Sequence, residues 1–434
     1  MLLRTVLRVS AGTRVLPFLL GFVLVALGDE LTAWVTPAYG LAAAGHASLA
    51  LPFACAACAA AGAWEGGRLH RGGVFSRSPV RSALAITTPV LLPVALMGGL
   101  GMLAALTTAA LAGGTADGVP QPGVLAVWAG LLLANTLVGS VVGRVLAPVV
   151  AVPLALISSF VLNAYPVAFD TYWPRHLVGG GLSDCCAVDQ VLDGRAAAAS
   201  LAFSGAVCAA AVLLVRRRGS PLALAAALAV TAGGVALGGW TARDLGPEPV
   251  RPRSSAALRC DSGQPRVCLW PELGAARSAL VRAEVRRAAG ALAGRGVPVP
   301  AVFTMAARPG PGEAGLGVPT DARVPDVTAA VVGGLLPRTP ECARRGAPYP
   351  AAAVTGTATA WLTATAASTA TTGSPGGAAD GRFTPADSAR AAQLLELPDA
   401  AQLAWYRDTL DALADCGTLP PPVPHTGEAI GGER

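Results

Sequence analysis

Nine cysteines and four histidines are the residues of this chain best suited to redox, nucleophilic or metal chemistry. Cys55 and Cys58 have the C-x-x-C spacing of thioredoxin-like and metal sites, but they lie in an apolar run without a second cysteine pair. The histidines are isolated from one another in the sequence: His46, His70, His176 and His425. The pattern favours a packing role for Cys55 and Cys58 and predicts neither a metal site nor a bound cofactor.

The motifs of common hydrolases and nucleotide-binding enzymes are missing. All 32 basic residues are arginine, so the phosphate-binding lysine of a Walker A motif is absent, as is any lysine for Schiff-base chemistry. No HExxH or GxSxG pattern occurs. We therefore predict that the chain is not an enzyme by itself, and that any ATP-driven process would use another polypeptide.

The most motif-like segment is Cys268-Leu-Trp-Pro-Glu272. Glu272 is predicted to begin a helix, where the helix dipole favours a carboxylate, and Trp270 and Pro271 would fix the entry angle of the chain. That structural role is sufficient. The alternative is a catalytic or ligand-binding Glu272, which would make the chain a membrane-bound surface enzyme.

The elements that carry these residues are mostly apolar. A mean hydropathy of +0.54 with 13% charged residues is typical of an integral membrane protein. A helix of about 20 residues crosses roughly 30 Å of hydrocarbon. We expect about seven spans, with a tight hairpin at Gly143-Arg144 dividing the fourth from the fifth. The candidate spans are Val15–Gly28, Leu41–Ala63, Ala83–Ala112, Val124–Gly143, Val145–Tyr165, Ala197–Val215 and Pro221–Trp240.

Arginine alternates between the connections. The connections predicted to be cytoplasmic hold eleven arginines and one acid, whereas the opposite connections before Trp240 hold two arginines and seven acids. Because arginine is retained on the cytoplasmic side, the N-terminus is predicted inside and everything after Trp240 outside the cell membrane. The net charge of +6 is then an orientation signal, and nucleic acid is not an expected partner.

The chain is predicted to have two domains. Residues 1–240 form an α-helical polytopic membrane domain, 241–258 a linker, 259–417 a small, mainly helical α+β extracellular domain, and 418–434 a disordered tail. In the extracellular domain we expect helices over 272–295, 326–336, 351–368, 384–397 and 398–416, a strand over 299–305, and a flexible loop over 372–382.

Six cysteines are predicted to be outside, where an oxidising compartment favours disulfides. They are Cys185, Cys186, Cys260, Cys268, Cys342 and Cys416. Spacing alone does not fix the connectivity. We expect Cys260–Cys268 to close a small loop and Cys342–Cys416 to tie distant helices. The remaining two either form a vicinal bridge or meet the extracellular domain.

Several polar features of the membrane domain have two interpretations. The connection Pro166–Ala196 is either an interfacial loop or a pair of short, partly re-entrant helices over a translocation path. Four polar residues within the spans could line a path, although bonding to a neighbouring helix is commoner: Asn135, Ser158, Ser159 and Asn163. Because the middle of each span lacks Asp and Glu, a proton-coupled carrier is disfavoured.

A basic loop follows the second span. Glu65 and Arg68 lie where this span meets the cytoplasm, as a solvated salt bridge or as part of a docking surface. The layout resembles the permease subunit of type-two ABC exporters, with Leu2–Arg14, Trp64–Ser82 and Pro166–Ala196 in the places of three hallmarks of that family. These are a cytoplasmic amphipathic start, an ATPase-docking loop and an external loop with short helices. By this resemblance, the docking loop would use Glu65, Arg68, Arg71, Arg77 and Arg81.

The resemblance covers residues 1–218 and implies a separate ABC ATPase subunit and a second permease, or a homodimer, in the lipid bilayer. The segment after Trp240, with Cys260, Cys342 and Cys416, resembles an uncharacterised module of actinobacterial permease-like proteins. The leading hypothesis is a permease-like subunit of an ABC-type exporter. The alternative is a membrane-anchored extracellular ligand-binding, sensor or scaffold protein without transport activity.

Overall fold

The computed structural model describes residues 8–33, 35–74, 82–115, 121–216, 220–367 and 383–424. Two compact units divide the chain, Met1–Arg251 and Pro252–Arg434. The boundary falls within the predicted linker. The predicted flexible loop over 372–382 and most of the predicted tail lie outside the described residues.

The first unit is a bundle of apolar helices. Six helical segments in the described ranges are long and apolar enough to cross a membrane: Gly40–Arg71, Ala83–Ala112, Pro122–Val145, Pro148–Ala168, Gly194–Arg216 and Pro221–Ala242. The first predicted span corresponds to the shorter apolar helix Ala11–Ala26. The structure is therefore that of a polytopic membrane protein.

The helices of this unit, in chain order, are α1 (Ala11–Gly21), α2 (Gly28–Ala33), α3 (Gly40–Ala47), α4 (Leu51–Arg71), α5 (Ala83–Ala112), α6 (Pro122–Val145), α7 (Pro148–Ala164), α8 (Trp173–Leu177), α9 (Gly194–Arg216) and α10 (Pro221–Ala242). One π-helical turn, Phe22–Ala26, continues α1. The strands β1 (Gln190–Leu192) and β2 (Val250–Pro252) pair at the end of the unit.

Two predicted boundaries are wrong. The fourth and fifth helices do not divide at Gly143-Arg144, because α6 continues to Val145 and α7 begins at Pro148. Proline suits the first helical position and disfavours helix in the residue before it, so it sets the break. The predicted loop Trp64–Ser82 begins too early, since α4 is helical through Arg71 and ends at Gly72-Gly73, where Gly73 has a φ of +64°.

Helices α4 and α6 run parallel and meet along their glycines. Gly139 lies against the backbone of Ala59, and Gly143 lies one turn further on against Ala63. A Cβ on either glycine would overlap a carbonyl oxygen of α4. Small residues four apart allow this close approach between helices in a membrane. The glycines and alanines at these positions therefore allow the two helices to pack closely.

The connection between α7 and α9 contains short helices, as one of the two predictions for Pro166–Ala196 proposed. A 3₁₀ turn at Tyr165–Ala168 precedes α8, and a second turn spans Leu182–Asp184 before β1. Its backbone is held close to α3, because a Cβ on Gly45 would overlap the carbonyl oxygens of Leu182 and Cys185.

The second unit is α+β. Its four-stranded sheet has the order β3 (Arg259–Cys260), β4 (Arg266–Leu269), β5 (Val302–Thr304), β6 (Glu313–Gly315). The β3–β4 pair is antiparallel and the other two pairs are parallel. The helices are α11 (Gly274–Gly294), α12 (Val324–Leu335), α13 (Glu341–Arg344), α14 (Ala352–Ala367), α15 (Pro385–Leu395) and α16 (Asp399–Ala414).

An aromatic cluster forms part of the core of this unit. The ring of Trp361 lies 5.3 Å from that of Tyr406 and 6.5 Å from that of Trp405, and all three are buried. Thr384 caps α15 as predicted, its hydroxyl accepting from the N–H of Asp387. The prediction that Glu272 begins the long helix is wrong. Glu272 lies in a separate 3₁₀ turn, Pro271–Leu273, and Gly274 with φ +66° turns the chain into α11.

Candidate functional site

The arginine-rich end of α4 carries a buried ion pair. The side chain of Glu65 is fully buried, and its carboxylate lies 2.7 Å from the guanidinium of Arg68 one turn later. The other carboxylate oxygen accepts a hydrogen bond of 2.6 Å from the backbone N–H of Ala11. Arg68 also donates to the carbonyl of Val9 over 2.8 Å. Together these contacts hold the start of α1 against the end of α4, and we call them the Glu65 clamp.

The clamp leaves the carboxylate of Glu65 inaccessible to a partner protein. Of the five residues predicted for docking, Glu65 is enclosed by its own chain, whereas Arg71 is exposed and donates to the carbonyl of Gly67 within its helix, over 3.3 Å. Arg77 and Arg81 lie outside the described residues. A basic docking surface at this end of α4 stays a prediction, with Arg71 and Arg68 as its described members.

Three of the four polar residues within the spans bond between helices: Asn135, Ser159 and Asn163. Ser159 on α7 donates to the side-chain oxygen of Asn135 on α6 over 2.7 Å. Asn163 donates to the same oxygen over 3.4 Å and to the carbonyl of Ser159 over 2.8 Å. Ser158 donates within its own helix, to the carbonyl of Leu154. These hydrogen bonds fasten α6 to α7.

Cys55 and Cys58 are fully buried free thiols in α4. Cys58 is 3.5 Å from the carbonyl of Val94 on α5, a contact between helices. Among the described residues, no group of three or more His, Cys, Asp or Glu side chains is placed to hold a metal ion. The environment of this C-x-x-C pair is therefore that of packed apolar residues.

Two buried polar residues of α8, Arg175 and His176, were not among the predicted site residues. Arg175 donates to the carbonyl of Val167 over 2.6 Å and to that of Pro247 over 3.3 Å. His176 donates to the carbonyl of Gly246 over 3.0 Å. Burial lowers the pKa of His176; the hydrogen bond to Gly246 opposes this shift, and the charge of Arg175 adds to it. The pair ties the connection after α7 to the segment after α10. Two of these carbonyls, those of Gly246 and Pro247, lie about 70 residues away in the chain, which residue types do not reveal.

A cavity of about 410 Å³ opens at the same end of the bundle. Glu30 and His46 are its titratable lining residues in the described chain, and the imidazole donates to the carbonyl of Glu30 over 2.5 Å. The complete lining is Glu30, Thr36, Ala42, His46, Leu49, Ser183, Cys185, Cys186 and Ala187. Carboxylate, imidazole and hydroxyl groups can exchange hydrogen bonds with a small polar molecule there.

Three disulfides are present, and two of them are those expected. Cys260 and Cys268 are direct cross-strand partners of β3 and β4, with their Cα atoms 3.9 Å apart. Cys342 and Cys416 join α13 to the end of α16, with a Cα separation of 6.4 Å. Cys185 and Cys186 are bonded to each other, which resolves the two alternatives in favour of the vicinal bridge.

The segment Trp270-Pro271-Glu272 has a structural role in the second unit. Trp270 is completely buried, and its indole N–H donates to the carbonyl of Met305 over 3.0 Å. The guanidinium of Arg253 stacks 4.4 Å above this indole and lies 2.8 Å from the carboxylate of Glu272. Glu272 is thus occupied by a charged partner within the fold, which accounts for the residue types without catalysis.

The comparisons concern the second unit alone. Residues 267–416 match a family model described as a domain of unknown function, DUF7224. This match begins just before Trp270 and ends at Cys416, so it includes both sides of the Cys342–Cys416 bridge. Comparison with curated proteins and with solved structures gives no match for the chain.

Proposed function

We propose that the chain is the membrane-spanning, permease-like subunit of an ABC-type exporter, with ATP hydrolysis supplied by a separate chain. The observation that carries the proposal is the Glu65 clamp, which joins the first apolar helix to the arginine-rich end of α4. A permease must transmit a partner's movement at this end to its helices. A clamp between the first helix and the basic end of α4 supplies such a connection.

The packing of the first helix supports seven crossings. Gly12 lies against Pro93 of α5, and the N–H of Ala38 donates to the carbonyl of Gly113 just after α5. The chain from α1 through α2 therefore runs parallel to about 20 residues of α5, or about 30 Å. That length equals the hydrocarbon thickness of a bilayer. The short apolar helix then counts as a span together with the six longer ones.

With seven crossings and a cytoplasmic N-terminus, the second unit would lie outside the cell membrane. The arginine distribution supports that orientation, and two disulfides within the second unit fit an oxidising compartment. The short helices between α7 and α9 then lie on the external side, where the family resembled has them. The 410 Å³ cavity would open on the same side.

The partner surface is the exposed basic end of α4 and the loop that follows it. Arg71, with Arg77 and Arg81 in the loop, would contact an ABC ATPase. Glu65 would not contact this partner but would hold the end of α4 against α1. A second permease, or a second copy of the chain, would complete the assembly. The exposed apolar faces of α7 and α10 provide lipid- or protein-facing surface for it.

The test is affinity purification of the detergent-solubilised full-length chain from its native cells. We expect an ABC ATPase to co-purify, and to be lost when Arg71, Arg77 and Arg81 are changed to glutamate. Arg243→Glu is the matched control, because Arg243 is a partly exposed arginine at the opposite end of the bundle. Absence of any ATPase, or its retention by the triple variant, would contradict the proposal.

The alternative is a membrane-anchored extracellular binding protein. It is favoured by the second unit's own sheet, aromatic core and two disulfides, and by the family match that covers this unit alone. An export assay that fails with an intact chain, combined with capture of an extracellular ligand by the same chain, would select this alternative.

A further inference from the structure

An apolar slot lies at the arginine-rich end of the bundle, between α1, α4 and α7. Its floor is α4, where Ala60 and Ala61 leave a depression, and its walls are Val15 of α1 and Val152 of α7. The slot has a volume of about 230 Å³, and its lining residues are Ala11, Arg14, Val15, Ala60, Ala61, Trp64 and Val152. A single charged side chain, Arg14, borders an otherwise apolar surface.

The two ends of the slot differ in the residues that border them. Arg14 and Trp64 lie at one end, and towards the other end the same three helices are joined by phenylalanine rings. The rings of Phe22 and Phe53 are 4.7 Å apart, and those of Phe53 and Phe160 are 5.1 Å apart. Arg14 precedes Phe22 by eight residues, or about 12 Å of helix. A hydrocarbon chain that enters beside Arg14 thus has about this length of apolar surface before it meets the rings.

Arg14 is available to an anion. Its side chain is exposed, and in the described part of the protein its guanidinium makes no hydrogen bond. The nearby carboxylate of Glu65 is already held by Arg68 and by the N–H of Ala11. Trp64, 44% exposed at the same edge, has the amphipathic ring that favours the level of lipid headgroups.

We propose that this slot binds one anionic phospholipid, with an acyl chain between α1 and α7 and the phosphate at Arg14. An apolar slot excludes a free phosphate, and a lone arginine at its mouth favours an anionic over a zwitterionic headgroup. The occupant is a lipid of the surrounding bilayer. The site is independent of transport and requires only that the helices lie in a membrane.

The test is native mass spectrometry of the full-length chain in detergent, with phosphatidylglycerol and phosphatidylcholine added at equal concentration. The wild type is expected to retain phosphatidylglycerol in preference. Arg14→Gln should lower this preference about fivefold, the effect of about one arginine near a membrane surface. Arg14→Lys should keep most of it, and Ala61→Phe, which fills the floor, should lower retention of both lipids.

Arg216→Gln is the matched control, since Arg216 is exposed at the end of α9 away from the slot. It should leave the preference unchanged. The proposal is overturned if Arg14→Gln retains the wild-type preference, if Arg216→Gln reduces it equally, or if Ala61→Phe in a monodisperse preparation retains both lipids as the wild type does. Equal loss in both arginine variants would indicate attraction by total charge only.

Discussion

The carboxylate of Glu65 accepts a hydrogen bond of 2.6 Å from the backbone N–H of Ala11, a residue 54 positions earlier in the chain. Ala11 is the first residue of α1, whose initial N–H groups have no partner within the helix. A carboxylate is favoured at that end of a helix by the helix dipole. Glu65 therefore serves both as the partner of Arg68 and as the anchor for α1.

Glu65→Ala is expected to destabilise the bundle by about 1–3 kcal/mol, because it leaves the N–H of Ala11 without its acceptor. Glu65→Gln keeps an acceptor but loses the charge, and should cost less. Thermal melting of the chain in detergent measures both. Arg71→Ala, six residues later and exposed, is the control and should melt with the wild type. Equal melting of Glu65→Ala and the control would show that the clamp adds no stability.

Gly143→Val is expected to force α6 away from α4, because the side chain would overlap the backbone of Ala63. Overpacking of this kind costs about 1–3 kcal/mol. Gly99→Ala on α5 is the matched control, since a Cβ there meets nothing within 4 Å, and alanine is the better helix former by about 1 kcal/mol. The melting temperature should fall for the first variant and hold or rise for the second. A lower melting temperature for Gly99→Ala than for Gly143→Val would show that close packing at Gly143 does not stabilise the bundle.

Loss of Cys342–Cys416 should destabilise the second unit more than loss of Cys260–Cys268. The two bridges span sequence separations of 74 and 8 residues. In the chain-entropy account the longer loop is worth about 4.5 kcal/mol and the shorter about 2.6 kcal/mol. Protease susceptibility of the second unit on heating, in Cys342→Ser and Cys260→Ser variants of the full chain, measures the order. A larger loss in Cys260→Ser would contradict it.

Acidification is expected to weaken the second unit through Glu284. Burial alone would raise the pKa of Glu284, but hydrogen bonds from Arg287 and Thr328 and the charge of Arg287 outweigh it and lower that pKa. A lowered folded-state pKa means that the stabilisation is present above the unfolded value, about 4.3, and is lost as the pH falls through the folded value.

Melting of the full chain between pH 7 and pH 3, read by proteolysis of the second unit, measures this loss. Glu284→Gln should flatten the pH dependence, whereas Glu396→Gln, an exposed position, should leave it unchanged. An unaltered pH dependence in Glu284→Gln would assign the acid sensitivity to other carboxyl groups.

Local sequence signals predicted the helices better than the contacts between them. Proline at the start of α6, α7 and α10 and the Ser82 cap of α5 mark helix ends that the chain itself encodes. The burial of Glu65 was not predicted, because its partner is the end of another helix rather than a neighbour in sequence. The cysteine pairing likewise depends on which cysteines are close in the folded chain, and the sequence does not give these distances.

The contacts of Arg175 and His176 are a second case in which local sequence did not predict tertiary partners. The sequence did not single out either residue, yet both are buried and bound to backbone carbonyls. A proline followed by an arginine and a histidine was the local signal. It does not distinguish a residue that faces water from one that satisfies distant carbonyls.

The glycine contact between α4 and α6 also restricts how the bundle can move. Where two backbones touch, no side chain remains whose rotamer could change to let one helix slide past the other. We therefore expect these two helices to move together, and the Glu65 clamp joins the start of α1 to them. Because Ser159 also fastens α7 to α6, we expect a rearrangement of the bundle to be easiest at the little-buried α10.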